Sequence, residues 1–402
     1  MKLTNKLFLI YCLSTGPGFI GIGLSQSSTE PVKTDLRNRA SELNMSNESV
    51  QENKVANPAM DVTTTGTLNQ QAVSWKEVVQ LNPKMANAWQ NYYESTRYSY
   101  YSTSSKELTA AEKTQLDGII TDMEKNVPQS FEYHYIKYLN GNHDVSQFSH
   151  LQKAYELKSD YAALYDEMVA YYEITGNTTK KKEFCKKMEA DNEWPAHAKN
   201  FAQNLLRSVA QNGILITHGE LDTYPIYVVQ EILSDRKDVK VISWELLHSE
   251  EYCKKIEKQH NIKITWNEKA KADVMSKLAA DLAANNAVYF TTTFSPDLLS
   301  KVKDKLYITG TALRFSESEF DNCAELKINW EKNLRCDYLK KPINDNYTRR
   351  INTNYIPCLV MLRQIYTDDG DKEKAEAVKT LALKLARDAG KEDQLKSAMG
   401  LK

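Results

Sequence analysis

The sequence lacks an excess of charge of either sign: 52 Lys and Arg stand against 53 Asp and Glu, a formal net charge of −1. No global field would steer the chain onto DNA, RNA or an anionic surface, so nucleic acid is excluded as a partner. It also lacks any CxxC pair and any Cys/His spacing suited to zinc, so no structural metal is expected. The G-x-G-x-x-G and P-loop spacings are missing, which removes the usual nucleotide cradles, and no cofactor is expected. Without a G-x-S-x-G elbow or a workable Ser/His/Asp order, a serine hydrolase has little support. Past the first residues no apolar run approaches the ~20 residues that cross a bilayer. The best of them, "YIPCLVML", is broken by Pro357 and stopped by Arg363, so no transmembrane span is expected.

What is present begins with an export pattern. Lys2 and Lys6 precede the apolar "LFLIYCLS", and the small residues Gly23 and Ser25 lie just before Gln26, which reads as a signal peptide over 1–25 cleaved near Ser25. The bulky Tyr11 before Cys12 argues against lipid attachment there. The mature chain is therefore expected in the periplasm or secreted. A Cys323–Cys336 bridge is conceivable in such a compartment. Cys185, Cys253, Cys323, Cys336 and Cys358 make an odd count, however, and all are read as packing residues.

Residues 26–70 are rich in Ser, Thr, Asn and Val with no sustained period, the composition of a flexible leader. From 71 to 212 the texture is helical: "WKEVVQLNPKMANAWQNYYESTRYS" stops one helix at Leu81-Asn82-Pro83. It then starts another that places Ala88, Trp89, Tyr92 and Tyr93 on one face. "YYEITGNTTKKKEF" and "RQIYTDDGDKEKAEAV" echo each other, each with an aromatic-bearing helix, Gly-x-x-x-Lys, and a second helix. That pattern resembles tetratricopeptide repeats, whose paired helices leave extended partner surfaces.

Between 213 and 315 the period changes. "GILIT", "DVKVIS", "IKITW", "AVYFTTT" and "LYITG" are β-prone, and most are followed by helix-like stretches, as in "YPIYVVQEILSD". Alternation of this kind implies parallel strands joined by helical crossovers. From 316 to 402 the texture is helical again, with Val378, Leu381, Ala382 and Leu385 in one stripe. The expected fold is thus α plus α/β: tetratricopeptide-like helical repeats flanking a Rossmann-like domain with a mainly parallel sheet.

The candidate site is the turn "HGELDTYP" after the first strand, because ligands of open α/β sheets sit at the carboxyl edge. His218, Glu220, Asp222, Thr223 and Tyr224 are its ligand candidates, joined by Thr292 at the end of "AVYFTTT". A purely structural role explains part of the turn: Gly219 makes it tight, Asp222 or Thr223 caps the helix, and Pro225 sits in the first helical turn. Two carboxylates would repel phosphate, and a divalent ion held by Glu220, Asp222 and His218 ranks below a structural role. No residue is assigned a catalytic role.

The turn, together with "DVKVISWELL", "VYFTTT", "ITGTALRF" and "NYTRRINTNYIPCLVMLRQIYTDDGDKEKA", resembles the soluble extracytoplasmic module of the bacterial DUF2723 family, related to the TMEM-type protein O-mannosyltransferases. "HGELDTYP" is similar to that family's "NGDNDTFP"-like turn at Gly219, Asp222, Thr223 and Pro225, with Tyr224 a close substitute and His218 and Glu220 departing from it. The resemblance implies a free-standing relative of that module. The family's glycosyl-transferring machinery lies in a multi-pass membrane region that this chain lacks, so transferase activity does not carry over. The expected function is an exported, non-catalytic binding or assembly protein acting on a protein partner in the cell envelope. Its alternative is an extracytoplasmic enzyme or glycan-processing factor, with a glycan as ligand, using the polar turn.

Overall fold

The computed structural model describes residues 65–101, 108–191, 194, 196–343 and 345–401. The expected signal peptide and nearly all of the expected leader lie outside the described residues. Residues 65–70, assigned to that leader, instead open a helix, α1 (Thr65–Leu81). The chain divides into two compact units, described over 65–164 and 165–401.

The first unit is helical. After α1 come α2 (Ala86–Tyr101), α3 (Ala110–Asn126), α4 (Phe131–Asn140) and α5 (Phe148–Leu157). Pro83 cannot continue α1, and its carbonyl accepts the Trp89 indole N–H at 2.9 Å, fixing the entry to α2. Ala88, Trp89, Tyr92 and Tyr93 are all buried, as their spacing predicts. A capping box between Thr109 and Glu112 starts α3. Much of the tyrosine serves as core: Phe131, Tyr135 and Tyr161 meet at ring distances of 4.9–5.6 Å. Fully burying such a side chain contributes roughly 1.5–3 kcal/mol.

The second unit opens with α6 (Tyr165–Thr175), α7 (Thr178–Ala190) and α8 (Ala196–Arg207). A mixed sheet with its crossover helices follows: β1 (Ile214–Thr217), α9 (Glu220–Ile232), β2 (Lys240–Ser243), α10 (Glu250–His260), α11 (Lys271–Ala283), β3 (Val288–Thr291), β4 (Leu306–Ile308) and β5 (Ala312–Phe315). The chain then returns to helix with α12 (Cys323–Ile328), α13 (Asn346–Asn352), α14 (Ile356–Asp368), α15 (Lys372–Asp388) and α16 (Glu392–Met399). The molecule is mostly helical, with one small five-stranded sheet that is only partly parallel.

Strand order is β2-β1-β3-β5-β4. β1 runs parallel to β2 and β3, pairing Ile214 with Lys240 and with Val288, while β5 runs antiparallel to both β3 and β4. The expectation of a mainly parallel sheet thus holds for the β2-β1-β3 half. It fails beyond, because only residues 309–311 separate β4 from β5, too few for a parallel crossover. "IKITW" forms no strand; its Trp266 instead packs on Trp244 at 5.1 Å. A Rossmann fold is therefore not established.

The repeat echo turns out to be one turn built twice. Gly176 and Gly370 both adopt φ above +70°, where glycine alone is unstrained. The next residues, Asn177 and Asp371, send their N–H groups back to Tyr172 and Tyr366, and cap α7 and α15 by accepting from Lys180 and Lys374, each at 3.0 Å. Two matching turns do not amount to a stacked array, and tetratricopeptide-like repeats are not established.

A largely buried charge cluster fastens α6 and α7 to the helices of the sheet. Lys181, only 8% exposed, reaches Glu173 at 2.6 Å and lies 3.8 Å over the Tyr227 ring of α9. Lys255 of α10 reaches the other Glu173 oxygen at 2.6 Å. Burial alone would raise the Glu173 carboxyl, but the two lysines overcome it and hold the group below its ordinary value.

No helix among the described residues is long and apolar enough to cross a membrane. Cys185, Cys253, Cys323, Cys336 and Cys358 are free thiols, so the conceivable Cys323–Cys336 bridge is not formed.

Candidate functional site

β1 is buried along its whole length and delivers the chain to His218 and Gly219 at the carboxyl edge. Gly219 has φ 79° and ψ −171°, a region open essentially to glycine alone. That conformation lets α9 begin at once, at Glu220. Asp222 and Thr223 accordingly lie inside the first turn rather than at the cap, and Pro225 falls inside the helix rather than at its opening. The sequence-based placement starts the helix too late because it does not anticipate this glycine geometry.

From the first turn Asp222 reaches back over the edge. It is 0% exposed, and its two carboxylate oxygens accept the His218 N–H, each at 3.1 Å. Thr293, just past β3, donates to Oδ2 at 2.5 Å and lies 2.7 Å from the Thr291 hydroxyl. Thr223 donates to the Thr217 hydroxyl at 2.8 Å. One carboxylate thereby ties the ends of β1 and β3 to the start of α9. Burial raises its proton affinity above the ordinary aspartate value; the Thr291 and Thr293 hydroxyls and the His218 N–H offset only part of that rise.

The other candidates separate. Thr292 turns away from Asp222 and donates to the Thr311 carbonyl at 3.2 Å, as alternation along an extended chain requires: Thr291 and Thr293 share a side and Thr292 faces the other. Tyr224 is buried against Tyr227, ring centroids 6.4 Å apart. Glu220 is exposed. His218 is partly exposed, packs on Phe294 at 4.8 Å, and points Nε2 at Glu245 at 3.2 Å.

Two participants, Glu245 and Tyr347, escaped the sequence reading, and a third was passed over. Thr293 belongs to the run Thr291-Thr292-Thr293, whose hydroxyls the sequence already places at this edge, and alternation along the strand favours it over Thr292. Glu245 lies just beyond the end of β2, where only the strand order places it beside β1. Tyr347 of α13 is buried, and its hydroxyl is pushed up by burial first and then by the charge of Asp222, which lies far away in sequence. Among the described residues no group of three or more His, Cys, Asp or Glu side chains is arranged to hold a metal ion.

Comparison with curated proteins finds no match for this chain. Residues 198–280, from α8 into α11 and including the α9 half of the knot, match the family model described as TMEM260-associated domain 2, a family linked to membrane-associated glycosyltransferase-like proteins.

Proposed function

We propose that the chain is an exported, non-catalytic binding or assembly protein that meets a protein partner of the cell envelope through its helical surfaces, as a free-standing relative of the soluble module of the DUF2723 family. The observation that carries this reading is the spent state of the polar knot. Asp222, Thr223, Thr292 and Thr293 use their oxygens on one another and on the backbone, and Asp222 has no exposure with which to meet a substrate. Such an arrangement joins strands to a helix; it does not leave a carboxylate free for proton transfer. Exposed Val73 and Leu81 on α1 offer apolar contact area to a partner.

The test is site-directed photo-crosslinking from positions 73 and 81 in intact cells, with identification of the adducts. One recurrent envelope protein, captured equally by wild type and Asp222→Asn, is the expected result. Turnover by the purified chain that disappears in a folded Asp222→Asn variant would overturn the reading. A second reading, an extracytoplasmic enzyme or glycan-processing factor, draws on the partly exposed His218–Glu245 pair, a base with an orienting carboxylate. It requires that His218→Gln and Glu245→Gln each abolish a measured turnover without changing the fold.

A further inference from the structure

In the first unit, α4 and α5 lie side by side and each presents a histidine to the other. The Nδ1 atoms of His134 and His150 are 2.8 Å apart, and the ring centroids are separated by 5.0 Å. An imidazole Nδ1 lies about 1.1–1.2 Å from its ring centre. Two such radii added to the nitrogen separation come close to the centroid spacing, so the rings meet nearly head to head. That is the geometry of a shared N–H···N hydrogen bond. Two nitrogens converging on one metal ion would instead have bent lone-pair directions and, at about 2.0–2.1 Å from the ion, a cis or tetrahedral angle between them.

The proton count follows from that contact. A neutral pair needs one Nδ1–H to donate and one bare Nδ1 to accept. A first added proton goes to an outward Nε2 and leaves the bond intact, now charge-assisted. A second must occupy the accepting Nδ1, placing two N–H groups face to face.

The connection between the helices carries left-handed backbone. Asn142 and His143, in the loop between α4 and α5, both have positive φ, 50° and 63°, without being glycine. Left-handed backbone at such residues is strained. We infer that His134 and His150 form a proton-counting clasp that holds α5 against α4 while the pair carries at most one extra proton, and that releases the hairpin when both rings are charged.

The surrounding charges favour such a device. Tyr133 lies edge-on to both rings, at 5.2 and 5.7 Å. Lys153 of α5 acts on His134 and Lys137 of α4 acts on His150, both resisting protonation, while Glu124 of α3 favours it at His150. From α2, Tyr93 and Arg97 act at the far end of α4, where the Tyr93 hydroxyl donates to Asn140. Lys158, past α5, lies over the Phe131 and Tyr161 rings. Burial first, then these like charges, holds both histidines below their ordinary value. The sign is therefore fixed: the clasp contributes its full stability above the ordinary imidazole range of ~6.5 and loses it as pH falls through the lower folded values.

The test uses the full chain, with chelator present. Amide hydrogen exchange, corrected for intrinsic rates, is followed on α4 and α5 from pH 7.5 to 5.0 in wild type, His134→Gln and His150→Gln. Opening that takes up one proton weakens protection by up to about tenfold per pH unit. The expected result is that loss in wild type and a flat profile in both variants. Wild-type protection independent of pH overturns the proposal, as does a variant that keeps the full dependence. If the variants do not fold, the imidazole nitrogen spectrum of wild type decides alone: a shared Nδ1–H signal at pH 7.5 that vanishes on acidification supports the clasp, and its absence at pH 7.5 refutes it.

Discussion

Asp222, fully buried, and Glu173, whose side chain is 11% exposed, are carboxylates of the second unit that each bridge several elements, and their proton affinities move in opposite directions. Around Glu173 two lysine ammoniums lie within 2.6 Å, and their attraction exceeds the cost of removing the charge from water. Around Asp222 the partners are threonine hydroxyls and one backbone N–H, dipoles that satisfy its oxygens but offset only part of the desolvation. Burial therefore does not set the direction of the shift; a cation within reach does. Glu173 is a charge locked in place, whereas Asp222 acts as a hydrogen-bond hub for which ionisation is costly.

The comparison is broken most strongly at the lysines. Removing one partner from a buried pair leaves the other unpaired, which typically costs about 3–5 kcal/mol. Lys181→Met is expected to lower stability by that order, measured by urea denaturation. Glu173→Gln should do likewise, because it leaves Lys181 and Lys255 facing one another. If both variants cost less than about 1 kcal/mol, the cluster is a surface-like pair and the contrast with Asp222 fails.

Next in size is Asp222→Ala. It removes the acceptor of the part-buried His218 N–H and one of the two partners of the Thr293 hydroxyl, which keeps Thr291, at about 1–3 kcal/mol for a group left unsatisfied. A combined loss of roughly 2–4 kcal/mol is expected in the same denaturation experiment. Gly219→Ala follows, at about 1–3 kcal/mol, because a Cβ is strained at its φ and ψ although open space surrounds it. A loss well beyond that range would mean that the turn rearranges and releases Asp222 as well.

These same residues mark what could be read along the chain. Helix pairs, the break at Pro83, the glycine turns and the β1-α9-β2 alternation are local signals of period and punctuation, and they are legible. The reversal of β5 was not, since "ALRF" is too short for its period to be distinguished from a loop. The periodicity change at Gly213 and the packing break at Tyr165 fall in different places, because the Lys181–Glu173–Lys255 cluster joins α6 and α7 to α9 and α10 through contacts that no window of sequence contains. At the candidate site, Asp222 and Thr223 could be picked out beside a strand end. The identity of their partners depended on strand order, which places Thr293 against Asp222 across 71 positions.

The smallest effect sharpens the contrast most. Asp222→Asn keeps the shape, the acceptor for His218 N–H, and a group that Thr293 can pair with by turning its hydroxyl, so the change should stay within about 1 kcal/mol. Its value lies in the sign of its pH dependence. A carboxyl whose folded proton affinity is raised contributes stability that is complete below the ordinary value of 3.8 and is lost as pH rises through the folded value. Glu173 behaves inversely: its contribution is present above 4.5 and is lost as pH falls through the lowered folded value. Denaturation of wild type, Asp222→Asn and Glu173→Gln across acid to neutral pH should therefore give difference curves of opposite slope, with Asp222→Asn gaining on wild type as pH rises. Parallel curves would show that the fold does not raise the Asp222 carboxyl above its ordinary value, and a carboxylate whose charge is fully compensated at the sheet edge would return the knot to contention as a binding or catalytic centre.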